Sequence, residues 1–206
     1  MPGMAAPVRA QRSSSRPAEI LDAAAVLFAD RSFHGVSIED IGRAVGISGP
    51  GLYRHFAGKD SVLARMLIGV SERLLAGGRE RVEAAADPAA ALDALIRGHI
   101  EFALSEPALI TVHDRELGNV PEADRHTVRR LQRGYVEQWV GVLAQLSPDV
   151  PAATLRAATH ATFGLLNSTP YSARAVDRDA MGRVLHGMAH GALAAARSPV
   201  AQGGPA

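Results

Sequence analysis

The stretch from residue 35 to residue 63 constrains the fold of this chain most, because it holds start and stop signals for two short helices. Ser37 can cap the first helix with its hydroxyl, and the acidic residues after it suit a helix N-terminus. Gly46 can take the left-handed backbone that ends a helix. Ser48 can cap a second helix, in which Pro50 lies early enough that its missing N–H is harmless. The pattern predicts two helices joined by a tight turn.

The apolar residues of these two helices indicate which face each one buries. In the first helix Ile38, Ile41 and Val45 recur at positions i, i+3 and i+7 and form one stripe. In the second helix Leu52 and Phe56 lie four residues apart and are expected to point inward. A helix–turn–helix held in this way can place its second helix in the major groove of DNA.

Three consecutive runs extend this pattern: AEILDAAAVLFADRSFHGV, SIEDIGRAVGIS and GLYRHFAGKDSVL. Together they resemble the N-terminal domain of the TetR family of bacterial transcriptional repressors, over residues 17–65. The remaining two thirds of the chain agree with that family in length, in all-helical character and in position. The resemblance implies a homodimer that binds a palindromic operator and releases it when a small molecule enters the C-terminal domain.

The resemblance also implies which residues contact DNA. Tyr53, His55 and Lys59 match positions that hold phosphates in the family, with packing between helices as the alternative for the first two. Arg54 could make a bidentate contact to guanine, whereas the two glycines on the same surface carry no side chain, which leaves more of the specificity to DNA shape. The predicted DNA-binding set is Ser37, Ser48, Gly49, Pro50, Gly51, Tyr53, Arg54, His55 and Lys59.

Composition predicts an all-α protein, because alanine and leucine are abundant, aromatic residues make up 4% and no strand-type alternation persists. The absence of cysteine excludes disulfides and thiolate metal sites. No apolar run reaches the roughly 18–20 residues that span a membrane, and no apolar segment follows the N-terminal arginines as in a secretory signal. We therefore expect a soluble, cytoplasmic protein. A net charge of +1 argues against indiscriminate binding of nucleic acid.

The chain divides into four predicted segments. Residues 1–16 contain Arg9, Arg12 and Arg16 without an acid, in a composition that does not fold when free. Such an arm either contacts phosphates or a minor groove beside the recognition helix, or has no role. The helix–turn–helix domain, a helical effector-binding and dimerisation domain, and a disordered tail follow at residues 17–63, 64–198 and 199–206.

Proline, glycine and capping residues set the expected helix boundaries, and about nine helices are predicted. Beyond the helix–turn–helix they cover residues 61–76, 89–104, 108–117, 122–146, 152–167 and 177–196. Gly77 and Gly78 are expected to end or loosen the first of these helices.

The last two helices are expected to form a dimer contact, since a palindromic operator requires two heads. Both are rich in small residues, which allow close approach: Ala157, Ala158, Ala161, Gly164, Gly187, Ala189, Gly191 and Ala194. The final helix also has an apolar stripe, formed by Met181, Val184, Leu185, Met188 and Leu193. The alternative is that this stripe packs only within its own subunit.

Three segments resemble the C-terminal part of a TetR subgroup that responds to acyl-CoA thioesters. They are HDRELGNVP, the arginine-rich start of the helix after it, and GLLNSTPYSAR. A tunnel for the acyl chain would be lined by Phe102, Leu109, Ile110, Leu131, Val142, Phe163 and Leu166. The phosphates of CoA could meet Arg115, Arg125, Arg129 and Arg130. The predicted ligand-binding set is Phe102, His113, Arg115, Arg125, Tyr135, Trp139, Phe163 and Asn167.

Two alternatives to the acyl-CoA interpretation stay open. The apolar residues could be plain core, with the arginines on a solvated face paired with Glu116, Glu122 and Asp124. The effector could also be an antibiotic or aromatic compound, as in a regulator of drug efflux or secondary metabolism. An enzyme with a vestigial head and a DNA-binding protein without an effector are the competing classes, and ligand-induced loss of DNA binding would separate them from a regulator.

Two further sets of polar residues could suggest other chemistry. His186 and His190 have a spacing that can hold a metal, but no third ligand lies nearby in sequence. His113, Asp114 and Glu116 could suggest acid–base catalysis, but the chain has no nucleophile motif, no HExxH and no glycine-rich phosphate loop. We expect no metal, no cofactor and no catalytic residues.

Overall fold

The computed structural model describes residues 16–173 and 176–197, and within these ranges the chain is helical, without strands. This confirms the predicted all-α class. The described part contains nine helices of five residues or more: α1 Arg16–Arg31, α2 Ile38–Ala44, α3 Gly49–Tyr53, α4 Lys59–Ala84, α5 Pro88–Ser105, α6 Pro107–Glu116, α7 Glu122–Leu146, α8 Ala152–Leu166 and α9 Arg178–Arg197. A 3₁₀ turn, Leu117–Asn119, follows α6, and a single helical turn, Thr169–Ser172, follows α8.

The two predicted disordered ends lie almost wholly outside the described residues, including Arg9 and Arg12 of the basic arm. Arg16, which the sequence assigned to that arm, is instead the first residue of α1. Its guanidinium lies 2.7 Å from the Glu19 carboxylate, three residues further along the helix. The helix therefore begins one residue before Pro17, and the arginine is fixed at its first turn.

The helix–turn–helix forms as its capping residues predict. Ser37 accepts a hydrogen bond from the amide of Asp40, and the Asp40 carboxylate accepts one from the amide of Ser37, which is a capping box. Gly46 has a φ of 70°, and the amides of Gly46 and Ile47 donate back to the last turn of α2. Ser48 caps α3 through its hydroxyl. Local signals are thus sufficient to set this turn.

Helix α4 is longer than the sequence predicts, because it continues through Gly77 and Gly78 to Ala84. A side chain at position 78 would collide with Gln138 and Tyr135 of α7. The glycine therefore allows α4 and α7 to pack closely and does not end the helix. The predicted boundary between residues 63 and 64 falls inside α4, so this one helix joins the two predicted domains.

Two apolar clusters hold the described residues together. We name α1, α2, α3 and the start of α4 the head. The first cluster contains the buried side chains of the head together with Leu109, Val112, Val120 and Val128. The head therefore packs directly on α6 and α7. The second cluster joins α5, α7, α8 and α9 around Trp139, which is fully buried. No helix of the described ranges is both long enough and apolar enough to cross a membrane.

The apolar stripe predicted on the last helix divides into two sets. Met181, Leu185 and Leu193 are buried in the second cluster of their own subunit. Val184 and Met188 are 49% and 54% exposed. Exposed small residues also occur on both helices, namely Ala157, Ala161 and Gly164 of α8 and Gly187 and Gly191 of α9. An apolar face with small side chains therefore remains uncovered in the single chain.

Candidate functional site

Helix α3 presents most of the predicted DNA-binding residues to solvent. Leu52 is fully buried and Phe56 nearly so, and they fix the inner face of the helix. Tyr53, the last residue of α3, is 55% exposed despite its size, and Arg54 and His55, which directly follow the helix, are exposed as well. Tyr53 and His55 are therefore not packed between helices. Ser48 and Pro50 are also exposed, and Gly49 and Gly51 are partly covered.

Ser37 and Lys59, at either end of the motif, already have partners. The Ser37 hydroxyl donates to the Asp40 carboxylate at 2.6 Å, and hydrogen bonds from Ser37 are the main cause that lowers the pKa of Asp40 to about 2. The Lys59 ammonium donates to the carbonyls of Phe33 and Val36, both at 2.8 Å. An ammonium has three donors, so one remains for a phosphate. Lys59 thus holds the loop between α1 and α2, whatever it contributes to DNA binding.

A cavity of about 250 Å³ lies between α4, α5, α6, α7 and α8, and we name it the effector cavity. Its walls include five of the predicted ligand contacts, Phe102, His113, Tyr135, Phe163 and Asn167. The end near α4 is closed by buried or half-buried apolar residues such as Val70 and Leu74. The other end opens beside Asp114 and His160, which are exposed. Apolar walls with a few polar groups are typical of small-molecule sites.

His99 is the buried polar centre of this cavity, and sequence analysis gave it no role. Its Nδ1 lies 3.3 Å from the Tyr135 hydroxyl and its Nε2 lies 3.0 Å from Oδ1 of Asn167. The rings of Phe163 and Tyr135 lie nearly parallel to the imidazole, with centroids 4.7 Å and 5.9 Å away. A lone histidine in the apolar run of α5 was the available signal, but its neighbours come from α7, α8 and the residue after α8.

Burial keeps the polar groups around His99 neutral. Desolvation lowers the pKa of His99 to about 4, although the hydrogen bond to Asn167 acts in the opposite direction. Desolvation also raises the pKa of Tyr135 to about 12. Nearer the opening, Nε2 of His113 contacts Nε2 of Gln132 at 2.5 Å. The cavity therefore offers neutral hydrogen-bonding groups to its ligand, not a buried charge.

Three predicted ligand contacts lie outside the cavity wall. Trp139 is part of the apolar core, perpendicular to the ring of Phe163 at 5.0 Å. Arg125 donates to the carbonyl of Gly118 and pairs with Glu122, so it braces the turn after α6. Arg115 is exposed on α6. In the tunnel proposed from the sequence, Leu131, Val142 and Leu166 are likewise buried in the core and do not line the cavity.

Arg129, Arg130 and Arg133 form a basic stripe on the exposed side of α7, the helix that supplies Gln132 to the cavity wall. Gln132 lines the cavity, Arg129 lies about one turn before it and Arg133 follows it directly. All three arginines are exposed, and none forms an ion pair with the described part of the chain. Two of the acids expected to pair with such arginines have other partners, since Glu116 is buried and Glu122 binds Arg125.

Helix α6 connects the cavity to the head. Ile110 and His113 line the cavity, and Glu116 at the end of the same helix is buried against the loop after α1. One carboxylate oxygen of Glu116 accepts from the amide of Phe33 at 3.1 Å, and the other accepts from the side chain of Asn119 at 2.7 Å. Glu116 therefore joins α6, which lines the cavity, to the segment that precedes the helix–turn–helix.

His186 has a structural partner on another helix. Its Nε2 lies 2.6 Å from the carboxylate of Asp93 on α5, and its ring stacks near that of His190. Among the residues that the structure describes, no three histidine, aspartate or glutamate side chains are grouped as a metal site would require.

Comparison with protein families matches two parts of the chain. Residues 20–66 match the model described as bacterial regulatory proteins, tetR family. Residues 85–171 match the model described as tetracyclin repressor-like, C-terminal domain. The matches cover the helix–turn–helix and most of the cavity, in the order that the sequence resemblance implies.

Individual proteins are also similar to this chain. The chain is 33% identical over 131 residues to the HTH-type transcriptional repressor KstR2 of Rhodococcus jostii. The matched residues make up 63% of this chain and 64% of that protein. The structure of the ketosteroid transcriptional regulator KstR2 of Mycobacterium tuberculosis superimposes with a TM-score of 0.75 at 23% identity, over 87% of this chain and 95% of that one. FadR of Bacillus subtilis, in complex with stearoyl-CoA, superimposes with a TM-score of 0.70 at 17% identity, over 88% and 98%.

Proposed function

Because this chain belongs to the TetR family of transcriptional regulators, we propose that it is a repressor that binds a palindromic operator as a homodimer and releases it on binding an acyl-CoA thioester. One observation carries the effector class: α7, which lines a largely apolar cavity, also presents a stripe of exposed arginines without ion pairs. The acyl chain enters the cavity, and the phosphates of CoA bind the stripe outside it. The stearoyl-CoA complex of FadR, at 17% identity, shares only the fold with this chain.

The outer face of α8 and α9 supports the proposed dimer. Val184 and Met188 are about half exposed there, and small residues on both helices allow a second copy to approach closely. Burial of this face in a homodimer would remove apolar surface from water and place two heads side by side. Two heads in that arrangement can read the two halves of a palindrome.

Release requires an effector that prefers one conformation of the protein. An occupied cavity displaces α6 through Ile110 and His113, and the buried Glu116 passes this displacement to the loop that leads into α2. The two recognition helices are then misplaced for successive major grooves. A preference of a few kcal/mol for the occupied state is sufficient to change operator occupancy many-fold.

The test measures fluorescence anisotropy of the protein on its own upstream DNA at fixed salt, with palmitoyl-CoA as titrant. We expect release at micromolar palmitoyl-CoA, while CoA alone has no effect. The variant Arg129→Gln/Arg133→Gln should need about tenfold more palmitoyl-CoA, since each arginine contributes a charge-assisted contact. Arg79→Gln, an exposed arginine on α4, is the matched control and should behave as wild type. Tight DNA binding that no acyl-CoA disturbs would contradict the proposed effector.

An aromatic or antibiotic effector is the second candidate, and the ring walls of the cavity favour it. His99, Phe163 and Tyr135 lie nearly parallel, an arrangement that suits a flat ring as well as a chain. This class predicts release by an uncharged polycyclic compound, with equal potency on wild type and on Arg129→Gln/Arg133→Gln. The same anisotropy assay therefore separates the two candidates.

Arg54 carries the proposal for base recognition. We expect Arg54→Ala to relax the preference at one position in each half-site, with a loss of about 1–3 kcal/mol of discrimination there. Arg54→Lys is the control, because lysine keeps the charge but cannot make the bidentate contact. Both variants should lose the preference in a binding selection on randomised operators. A normal preference profile in the lysine variant would assign Arg54 to a phosphate.

A further inference from the structure

The effector cavity adjoins a second compartment at its deep end. A cleft of about 290 Å³ lies between α4 and α5, and four residues, Val70, Leu74, Phe102 and Tyr135, line both the cleft and the cavity. All four are buried or half-buried, whereas the opening of the cavity lies at exposed residues near α6 and α8. A chain that enters through the opening reaches the cleft only by passing these four shared side chains.

The cleft differs from the cavity in its charge. Nη2 of Arg73 on α4 lies 2.5 Å from the carboxylate of Glu106, at the end of α5. Nη2 of Arg81 lies 3.8 Å from the carboxylate of Glu101, which is too long for a hydrogen bond. All four side chains are partly or largely exposed, and ion pairs of this kind contribute little to stability. An anionic group that enters the cleft can therefore replace a glutamate as the partner of an arginine.

Two glycines place Arg81 in the cleft wall. Its Nη1 donates to the carbonyl of Gly77 at 2.9 Å, and a Cβ atom at Gly98 of α5 would collide with the Nε and Cδ atoms of Arg81. The absence of a side chain at position 98 thus lets the guanidinium lie across from α4 to α5. Since only one of its N–H groups has a protein partner within hydrogen-bond distance, Arg81 has donors available for a ligand.

On the basis of the proposed acyl-CoA response, we propose that this cleft binds an anionic group at the far end of the effector's acyl chain. The effector is then the CoA thioester of a dicarboxylic acid or of a similar acid with a distal anion. Its chain fills the cavity, passes between Phe102 and Tyr135, and places its carboxylate on Arg81 and Arg73. Both arginines belong to α4, the helix that continues into the head. When the distal anion binds, the arginines exchange a glutamate partner for the ligand.

The test compares pairs of thioesters of equal chain length by isothermal titration calorimetry on the full chain. The pairs are octanoyl-CoA with the CoA monothioester of suberic acid, and lauroyl-CoA with that of dodecanedioic acid. The distal carboxylate should tighten binding to wild type about tenfold in at least one pair, because it gains charge-assisted hydrogen bonds from the Arg81 guanidinium. This advantage should disappear in Arg81→Gln and persist in Arg79→Gln, an exposed arginine of α4 outside the cleft.

A second variant tests the position of Arg81 without removing its charge. Gly98→Ala displaces the guanidinium and should also abolish the advantage of the carboxylate, while both variants keep the wild-type affinity for the plain acyl-CoA, which shows that they are folded. Equal affinity within both pairs on wild type, or an advantage that survives Arg81→Gln, overturns the inference and leaves the acyl-CoA proposal intact. If none of the four thioesters binds, the proposed effector class is wrong and the inference falls with it.

Discussion

Replacing Glu116 with alanine should lower the free energy of unfolding by about 3 kcal/mol, because it leaves the buried amide of Phe33 without an acceptor. The same change removes the carboxylate that accepts from Asn119, in the turn that follows α6. The first contact joins α6 to the head and the second holds the turn after α6, so the loss falls on the connection between the effector cavity and the helix–turn–helix. Urea unfolding followed by circular dichroism measures this difference.

The Glu116→Ala variant should also respond less to effector. Once the link from α6 to Phe33 is lost, an occupied cavity displaces α6 with less effect on the head, and the ratio of operator affinities without and with effector should fall toward one. Glu116→Gln is the matched control, since its amide oxygen still accepts from Phe33 and it should lose only about 1 kcal/mol. An alanine variant that is destabilised yet fully responsive would show that the coupling runs elsewhere, for example through α4.

Those parts of the fold whose causes are local could be predicted from the sequence. Ser37, Gly46 and Ser48 act on backbone groups within three or four residues, and the structure confirms the turn they specify. The ends of α7, at Glu122 and Leu146, also agree with the prediction because prolines bound that helix. Helix boundaries can therefore be predicted wherever the capping or helix-breaking residue and the backbone it affects are close in sequence.

What could not be predicted depends on contacts between distant residues. Gly78 suggests a break when it is considered alone, but the room it provides is used by Tyr135 and Gln138 of another helix. The Glu116 carboxylate meets the Phe33 amide across 83 residues. The same limitation applies to the effector cavity: Phe102, His113, Tyr135, Phe163 and Asn167 could be named from a resemblance and from their chemistry, yet His99 could be assigned a place only after the helices had been packed around it.

Acidification from pH 7 to pH 5 should destabilise the protein through His99 by about 2 kcal/mol. The unfolded imidazole has a pKa of 6.5, whereas burial lowers the pKa of the folded one to about 4. Above pH 6.5 both states are neutral and His99 contributes no pH dependence. As the pH falls below 6.5, the unfolded state binds a proton at His99 and the folded state does not. The free energy of unfolding therefore falls until about pH 4, where the total loss reaches about 3 kcal/mol.

His99→Gln should remove this pH dependence, because glutamine does not titrate and its amide can still bond with Asn167. His126→Gln, at an exposed position on α7, is the control and should retain the wild-type slope between pH 7 and pH 5. Urea unfolding at the two pH values measures both slopes, in a range where carboxylates with ordinary pKa values stay ionised. Equal slopes in wild type and His99→Gln would mean that the folded cavity accepts the proton. The cavity would then tolerate a charged imidazole, and an effector with an anionic group at that depth would bind there directly.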